Sequence, residues 1–259
     1  MNPVPQPPAD MMDMSPVLQE QFLMMQYLPV ALTAALCIWA AYKHKSLVPV
    51  FLFLGGGLAY LAEPLVNVLG LVWFPPNGIQ AVWESIGRPV PLFGFLAYAW
   101  FLGGMAVLVY DRMTKGITML GLWKLYGILV IVECLLEIPG LNIGAFTYYG
   151  PQPYVLFKFP VWFAFCNAAG PMVAGALVYR MLPHIKSYLQ PITIYAVPFS
   201  NAAVMFAAGL PLYFFMNRSA SLAVTHIAGA VTIATACFFV YMVTLAAGKD
   251  SPARTAPTA

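Results

Sequence analysis

Charge is scarce in this sequence. Lys and Arg together number 12 and Asp and Glu 9 in 259 residues, so 8% of the chain is charged, against about 25% in soluble globular proteins. A water-soluble domain of this length could not cover its surface with so few charges, and that class is excluded. Histidine is rarer still: His44, His184 and His226 form no HxxxH pair, so no di-iron or zinc site is expected. The four cysteines, Cys37, Cys134, Cys166 and Cys237, sit inside apolar stretches without CxxC or Cys/His spacing. They read as small buried apolar residues, not as disulfide or zinc partners. A DDxxD-like aspartate cluster is missing too, which argues against magnesium-assisted ionisation of a diphosphate. The last apolar segment contains no lysine, which disfavours a retinal Schiff base. Disorder is excluded in turn, because 15% of the residues are aromatic.

Apolar length is what the chain has in abundance. It is 61% hydrophobic, with a mean hydropathy of +0.80. Roughly 20 apolar residues are needed to cross ~30 Å of hydrocarbon, and seven such segments can be read. They run approximately over Met25–Tyr42, Leu47–Phe74, Pro91–Tyr110, Ile117–Ile138, Phe157–Leu182, Pro191–Phe215 and Ser221–Ala246. The expected fold is all-α: a polytopic membrane protein of seven transmembrane helices occupying 25–246. Residues 1–24 are rich in Pro and Met and lack Lys and Arg. A cleavable leader needs a basic start, so the first span reads as retained and 1–24 as an extracytoplasmic tail. Residues 247–259 read as a solvated, disordered cytoplasmic tail.

Positive charges set the orientation. Lys43, Lys45, Arg112, Lys115, Lys124, Arg180, Lys186, Lys249 and Arg254 fall on one side, and only Arg88, Lys158 and Arg218 on the other. That alternation predicts the N-terminus outside and the C-terminus inside, in a bacterial cytoplasmic membrane. The net charge of +3 belongs to loops, and nucleic acid is not an expected partner. Oligomeric state is not legible.

Ionisable groups at membrane depth are costly, about 2.5–3.5 kcal/mol at the bilayer centre on the insertion scale. Here they are few. Glu63 falls near the middle of the second predicted span, Glu133 and Glu137 in the outer part of the fourth, and His226 in the outer third of the seventh; Asn67, Asn167 and Asn201 join them. Tyr60, Glu63 and Asn67 share one helix face by spacing, as do Glu133 and Glu137. Two carboxylates on one face repel if both are charged, and apolar surroundings add to that. A neutral acid is therefore expected, a proton donor in a greasy pocket opening toward the outer leaflet. Each residue also has a plainer role open to it. Glu63 before Pro64 can cap a helix kink, Glu137 can sit solvated at the interface, Glu133 and His226 can simply pack, and the asparagines can bond helices together.

Aromatic residues surround the acids. Trp73, Trp83, Tyr148, Tyr149 and Tyr154 fit an interfacial belt, whereas Trp100 and Trp162 lie within spans and are expected to face a cavity, where ring faces stabilise a cation. Two segments also share a rhythm. Glu63-Pro64, Asn67 and Gly70 precede Trp73-Phe-Pro-Pro76, and Glu137-Ile-Pro139, Asn142 and Gly144 precede Tyr148-Tyr-Gly-Pro151. This hints at an old duplication.

The stretch from Glu133 through Asn167 resembles the membrane-embedded carotenoid hydratases and the heterodimeric or fused lycopene cyclases. Those families share an acid at a helix end, a Gly-x-x-x-Gly-x-x-x-Tyr-type turn and a Phe/Val-Pro-x-Trp start to the next helix. Here these are Glu137, Gly140 to Gly144 to Tyr148, and Phe159-Pro160-Val161-Trp162. Size, seven spans and an acid in the second span are also similar to the membrane-bound terpene cyclases of meroterpenoid and indole-sesquiterpenoid pathways. Unlike the fungal members, this chain has no acid in its sixth or seventh span, which leaves Glu133 or Glu137 as the second catalytic acid. The resemblance implies metal-free and cofactor-free acid–base chemistry on an apolar isoprenoid or lipid substrate taken from the bilayer: an isomerase- or lyase-type cyclase or hydratase of isoprenoid biosynthesis. Glu63, Glu133 and Glu137 are the candidate catalytic residues, Glu63 as the proton donor with Asn67 or Tyr60 orienting it, and Tyr60, Asn67, Trp100, Trp162, Asn167, Asn201 and His226 the candidate substrate-binding ones. Two other classes stay open: a proton-coupled transporter or channel using the same acids, and a lipid- or pigment-binding protein without chemistry.

Overall fold

The seven apolar segments form seven helices long and apolar enough to cross a membrane: Pro16–His44, Val48–Leu69, Leu92–Thr114, Met119–Ile143, Val161–His184, Ser187–Met216 and Leu222–Ala247. The structure, a computed structural model, describes residues 5–218 and 220–247. Most of the 247–259 tail, including Lys249 and Arg254, lies outside the described residues, as do residues 1–4.

The fifth span is the buried centre, with the third, fourth, sixth and seventh packed around it. Its sequence permits this, because Ala164, Ala168, Ala169, Gly170, Ala174, Gly175 and Ala176 let neighbouring backbones come close. In lipid, helices associate through such close packing, since the solvent itself is apolar. The second and third spans meet in the same way. A Cβ placed on Gly56 would lie 2.6 Å from the Gly103 nitrogen and 2.6 Å from the Tyr98 carbonyl oxygen, so both backbones need that glycine. The first, fourth and seventh spans are peripheral.

The fifth span ends and the sixth begins in a 3₁₀ stretch, Leu182–His184 and Ser187–Tyr195; the second and third are irregular within their length. The second runs as α-helix to Ala59, tightens into one 3₁₀ turn over Tyr60–Ala62, and restarts over Glu63–Leu69. Pro64 causes the restart, because it brings no N–H to the ladder and is tolerated only in a first turn. This span ends at Leu69, short of the expected Phe74, where Leu71 takes a left-handed φ of 56° and the chain turns into a strand. The third span carries a π-helical stretch over Ala99–Gly104; such insertions gather at functional sites.

At the end where the second and fourth spans finish lie three short antiparallel ladders. Strand β1 (Val72–Trp73) pairs with β4 (Thr147–Tyr148), β2 (Ala81–Ser85) with β3 (Arg88–Pro91), and β5 (Val155–Leu156) with β6 (Phe159–Pro160). The first span starts at Pro16, not Met25, so part of the expected tail is helix. Residues just before it are tied to the same face. Asn77 donates its N–H to the Met12 carbonyl (3.0 Å), the Met14 N–H reaches the Asn77 carbonyl (2.9 Å), and the Trp73 indole donates to the Met11 carbonyl at 2.7 Å. At the opposite end the first and third spans close on Asp111, which accepts from Lys43 (3.4 Å) and Lys115 and lies 3.1 Å from the His44 Nε2.

Candidate functional site

The ladder between β1 and β4, with Val72 opposite Tyr148 and Trp73 opposite Thr147, joins the exits of the two acid-bearing helices. It ties together the two segments that share the Glu/Pro/Asn/Gly rhythm. Glu63 lies six residues before the last helical residue of its span, Leu69, and Glu137 six before Ile143. The two acids are therefore level. Glu63 is not at mid-span, because its helix stops five residues earlier than the apolar run alone suggests.

Between these helices is a hollow of about 50 Å³, room for a few waters. Glu63, Glu133, Glu137 and Asn167 contribute polar groups to it; its remaining walls are Tyr60, Tyr98 and a set of phenylalanine and aliphatic side chains. A second space of about 30 Å³ adjoins it and shares Glu63, Glu137 and Asn167, with Tyr148 added. Glu63 and Glu133 are buried and Glu137 is half-buried.

Each acid takes one hydrogen bond from a different element. The Tyr98 hydroxyl, from the third span, donates to Glu63 Oε2 at 2.5 Å. The Tyr148 hydroxyl, from β4, donates to Glu137 Oε2 at 3.1 Å. The Asn167 amide, from the fifth span, donates to Glu133 Oε1. Burial first, and then the neighbouring Glu137, push the Tyr148 hydroxyl well above the ordinary phenol range, which keeps it a donor. Glu133 Oε2 and Asn167 Oδ1 are buried without a partner on residues that line the hollow, so each is free to meet a ligand. No cation attends the site: among the described residues every ion pair ends on Asp111, at the other end of the bundle. Nor, among the described residues, is any group of three His, Cys, Asp or Glu side chains arranged to hold one metal ion.

The sequence-predicted residues divide. Glu63, Glu133, Glu137, Tyr60 and Asn167 line the hollow. Tyr60 does not orient Glu63, however, since its hydroxyl donates to the Pro91 carbonyl at 2.9 Å. Asn67 is buried one turn on from Glu63 and close enough to interact with its carboxyl, although neither amide atom reaches hydrogen-bond geometry. The other four lie elsewhere. Trp100 gives its indole N–H to Gln26 Oε1 (2.9 Å) and Trp162 to Gln152 Oε1 (3.2 Å); both are bonded, packed core residues. Asn201 is buried in the sixth span, its Oδ1 2.9 Å from where a Cβ on Gly170 would sit. His226 is half-buried on the seventh span, Nδ1 2.8 Å from the Leu222 carbonyl and its ring against Tyr154 at 4.9 Å. Tyr98 is the main residue that sequence reasoning missed, together with the phenylalanines Phe22, Phe74, Phe93, Phe101 and Phe146. The available signal for Tyr98 was a tyrosine inside a span, seven residues after Pro91, at the depth of the acids.

Comparison of the chain with protein-family models, with curated proteins and with solved structures finds no match.

Proposed function

We propose that this hollow is the active site of a metal-free isoprenoid cyclase or hydratase, in which Glu63 delivers the initiating proton. The supporting observation is the convergence of three glutamates, each held by one neutral donor and none by a cation, on an aromatic-lined space inside an apolar bundle. The atoms balance without a cofactor. The Glu63 O–H proton passes to the less substituted carbon of a substrate alkene, where the π electron pair forms the new C–H bond (or to an epoxide oxygen, whose C–O bond then breaks), and a tertiary carbocation is left. A second alkene attacks that cation, or water does. Glu137 or Glu133, as carboxylate, accepts the proton that is lost, and reprotonation of Glu63 closes the cycle. The net change is isomerisation or addition of water, with no redox step. Aromatic faces around the space stabilise the cation, exclusion of bulk water protects it, and an apolar substrate reaches it from the bilayer. The hollow of about 50 Å³ admits only the reacting end of such a chain unless its walls part. In this reading the chain sits in a bacterial cytoplasmic membrane with its N-terminus outside and its C-terminus inside, so the Asp111 end and its lysines face the cytoplasm.

The test is turnover of prenylated alkenes and epoxides by membranes containing the protein, run in D₂O. An alkene-initiated reaction is expected to fix one solvent deuterium on carbon in each product molecule. Product of unchanged mass would contradict protonation of an alkene, and absence of any product across both substrate classes would contradict the cyclase and hydratase assignment. Tyr98→Phe removes a single hydrogen bond from Glu63 while keeping the ring. One such bond contributes about 1 kcal/mol, so turnover is expected to fall about fivefold with the melting temperature little changed.

The broken second span, interrupted next to Glu63, also suits a proton-coupled carrier, in which unwound helices bind the coupled ion. Proton or substrate flux in liposomes that is lost in Glu63→Gln would favour that reading over catalysis.

A further inference from the structure

The ladder between β1 and β4 has two faces. Val72 and Tyr148 stand opposite each other and line the space beside Glu63 and Glu137. Neighbouring residues on a strand point to opposite sides. Trp73, and Tyr149, whose N–H continues the ladder to the Leu71 carbonyl (2.9 Å), therefore belong to the side turned away from the acids. There both meet one cation. The Arg88 guanidinium carbon lies 4.7 Å from the Trp73 ring centroid, and its Nη2 donates to the Tyr149 hydroxyl at 2.9 Å. The Trp73 ring is itself fixed by its indole bond to the Met11 carbonyl. Arg88 opens β3 directly after the turn Ile86-Gly87, with Ser85 as its partner across the ladder. The side chain is thus held at both ends.

This cation has no counter-charge. Among the described residues every ion pair ends on Asp111. Glu84, the nearest acid in sequence, pairs with Pro89 and so lies on the other face of the hairpin. Among the described cations at the ladder end, Lys158 and Arg218 are exposed, whereas Arg88 is half-buried. Tyr149 uses only one of the several N–H donors of the guanidinium, and Nε is buried without a partner. Burial leaves a charge short of the solvation an exposed one receives. The planar fork matches an oxyanion with two oxygens to offer, phosphate above all.

The turns nearby indicate the source of that phosphate. Ile86 leads the β2–β3 turn with φ 49° and is 62% exposed, and Phe157 leads the β5–β6 turn with φ 47° and is 69% exposed. Turns of this kind ordinarily take Asn, Asp or Gly, and a β-branched residue there is strained. Both tips instead present a large apolar group followed by a cation, Arg88 or Lys158. That combination suits the border between acyl chains and headgroups, where aromatic residues also collect.

We propose that Arg88, Trp73 and Tyr149 form a binding site for the phosphate of a membrane phospholipid, on the ladder face opposite the acids. The phosphate takes the free edge of the guanidinium, and Ile86 enters the acyl region beside it. The site is separate from the acid chemistry and stands or falls without it.

The experiment uses the full chain in maltoside micelles, which contain no phosphate, and titrates in a phosphatidylglycerol bearing a diazirine in its headgroup. Saturable label is expected on the peptides that hold Trp73, Ile86 to Arg88 or Tyr149. Unlabelled phosphatidylglycerol is expected to remove it, and dioleoylglycerol and inorganic phosphate at the same concentration are not. Arg88→Gln is expected to raise the half-saturating concentration about tenfold, as loss of one charged hydrogen bond predicts. Arg88→Lys, which keeps the charge without the fork, should raise it by less. Lys124→Gln, at an exposed cation near the start of the fourth span, is expected to change nothing, and a thermal melt checks that each variant is folded. Unchanged half-saturation in both folded Arg88 variants, or label confined to the Asp111 end, would overturn the site. Competition by inorganic phosphate as strong as by the lipid would overturn the headgroup as occupant, and equal competition by dioleoylglycerol would overturn the phosphate contact.

Discussion

Glu63→Gln is expected to lower product formation at least about a hundredfold, the lower end of what a positioned general acid supplies, while the protein still folds and inserts. Glutamine matches glutamate in volume, and its amide oxygen can accept the same bond from the Tyr98 hydroxyl, so the second and third spans stay joined at that level. The variant lacks only the acidic proton. Glu137→Gln and Glu133→Gln are expected to act differently, since in the proposed reaction they receive a proton late and either can substitute for the other. Each alone should cost less than Glu63→Gln and change the ratio of cyclised to hydrated or deprotonated product. Equal turnover by folded Glu63→Gln would remove this residue from the chemistry, and equal product ratios in the other two would remove them.

Gly56→Val is expected to have the largest effect on folding. The new Cβ would stand 2.6 Å from backbone atoms of Gly103 and Tyr98, and backbone cannot swing aside as a side-chain end can. Overpacking of this kind costs about 3 kcal/mol, and here it separates the two helices that hold Glu63 and its donor. The expected result is a lower melting temperature in detergent and loss of turnover in whatever fraction still folds. Gly127→Ala supplies the control, because a Cβ there meets nothing within 4 Å and alanine is the better helix former. Equal melting temperatures for Gly56→Val and the unaltered protein would show that the second and third spans do not pack this closely.

The helices were legible in the sequence because membrane spans are long apolar runs, and length alone distinguishes them. Their ends were less so. Apolarity continues through Leu71, Val72, Trp73 and Phe74, so hydropathy extended the second span into a strand whose start depends on pairing with Thr147 and Tyr148. Met25 looked like a beginning because Gln19 and Glu20 precede it, yet Gln19 is buried and its side chain accepts a bond from the Gln80 backbone. At the site, Glu133 and Glu137 were legible by i, i+4 spacing, and both line the hollow. For Glu63 the rule holds for Asn67, one turn on and close enough to interact with its carboxyl, and fails for Tyr60. Tyr60 is three residues before it, but the 3₁₀ turn over Tyr60–Ala62 breaks the 3.6-residue period on which the rule depends, and its hydroxyl reaches Pro91. Trp100 and Trp162 were chosen for being inside spans, whereas Gln26 and Gln152 satisfy their N–H groups and hold them in the core. The phenylalanines of the hollow had no local signature, since Phe22, Phe74, Phe93, Phe101 and Phe146 are dispersed along the chain and meet only once the helices are assembled.

The central claim is that an isoprenoid occupies the space shared by Glu63, Glu133 and Glu137. Photolabelling of the full chain in nanodiscs with a diazirine-bearing prenol, followed by peptide mapping, tests it most directly. Label is expected on the walls of the hollow, at Phe22, Tyr98, Leu136 or Phe146, and excess unlabelled prenol is expected to remove it. Label confined to outward-facing residues such as Leu28, Ile131 and Leu135, and insensitive to competitor, would mean that the prenol dissolves only in the surrounding lipid, and that the acids serve something else.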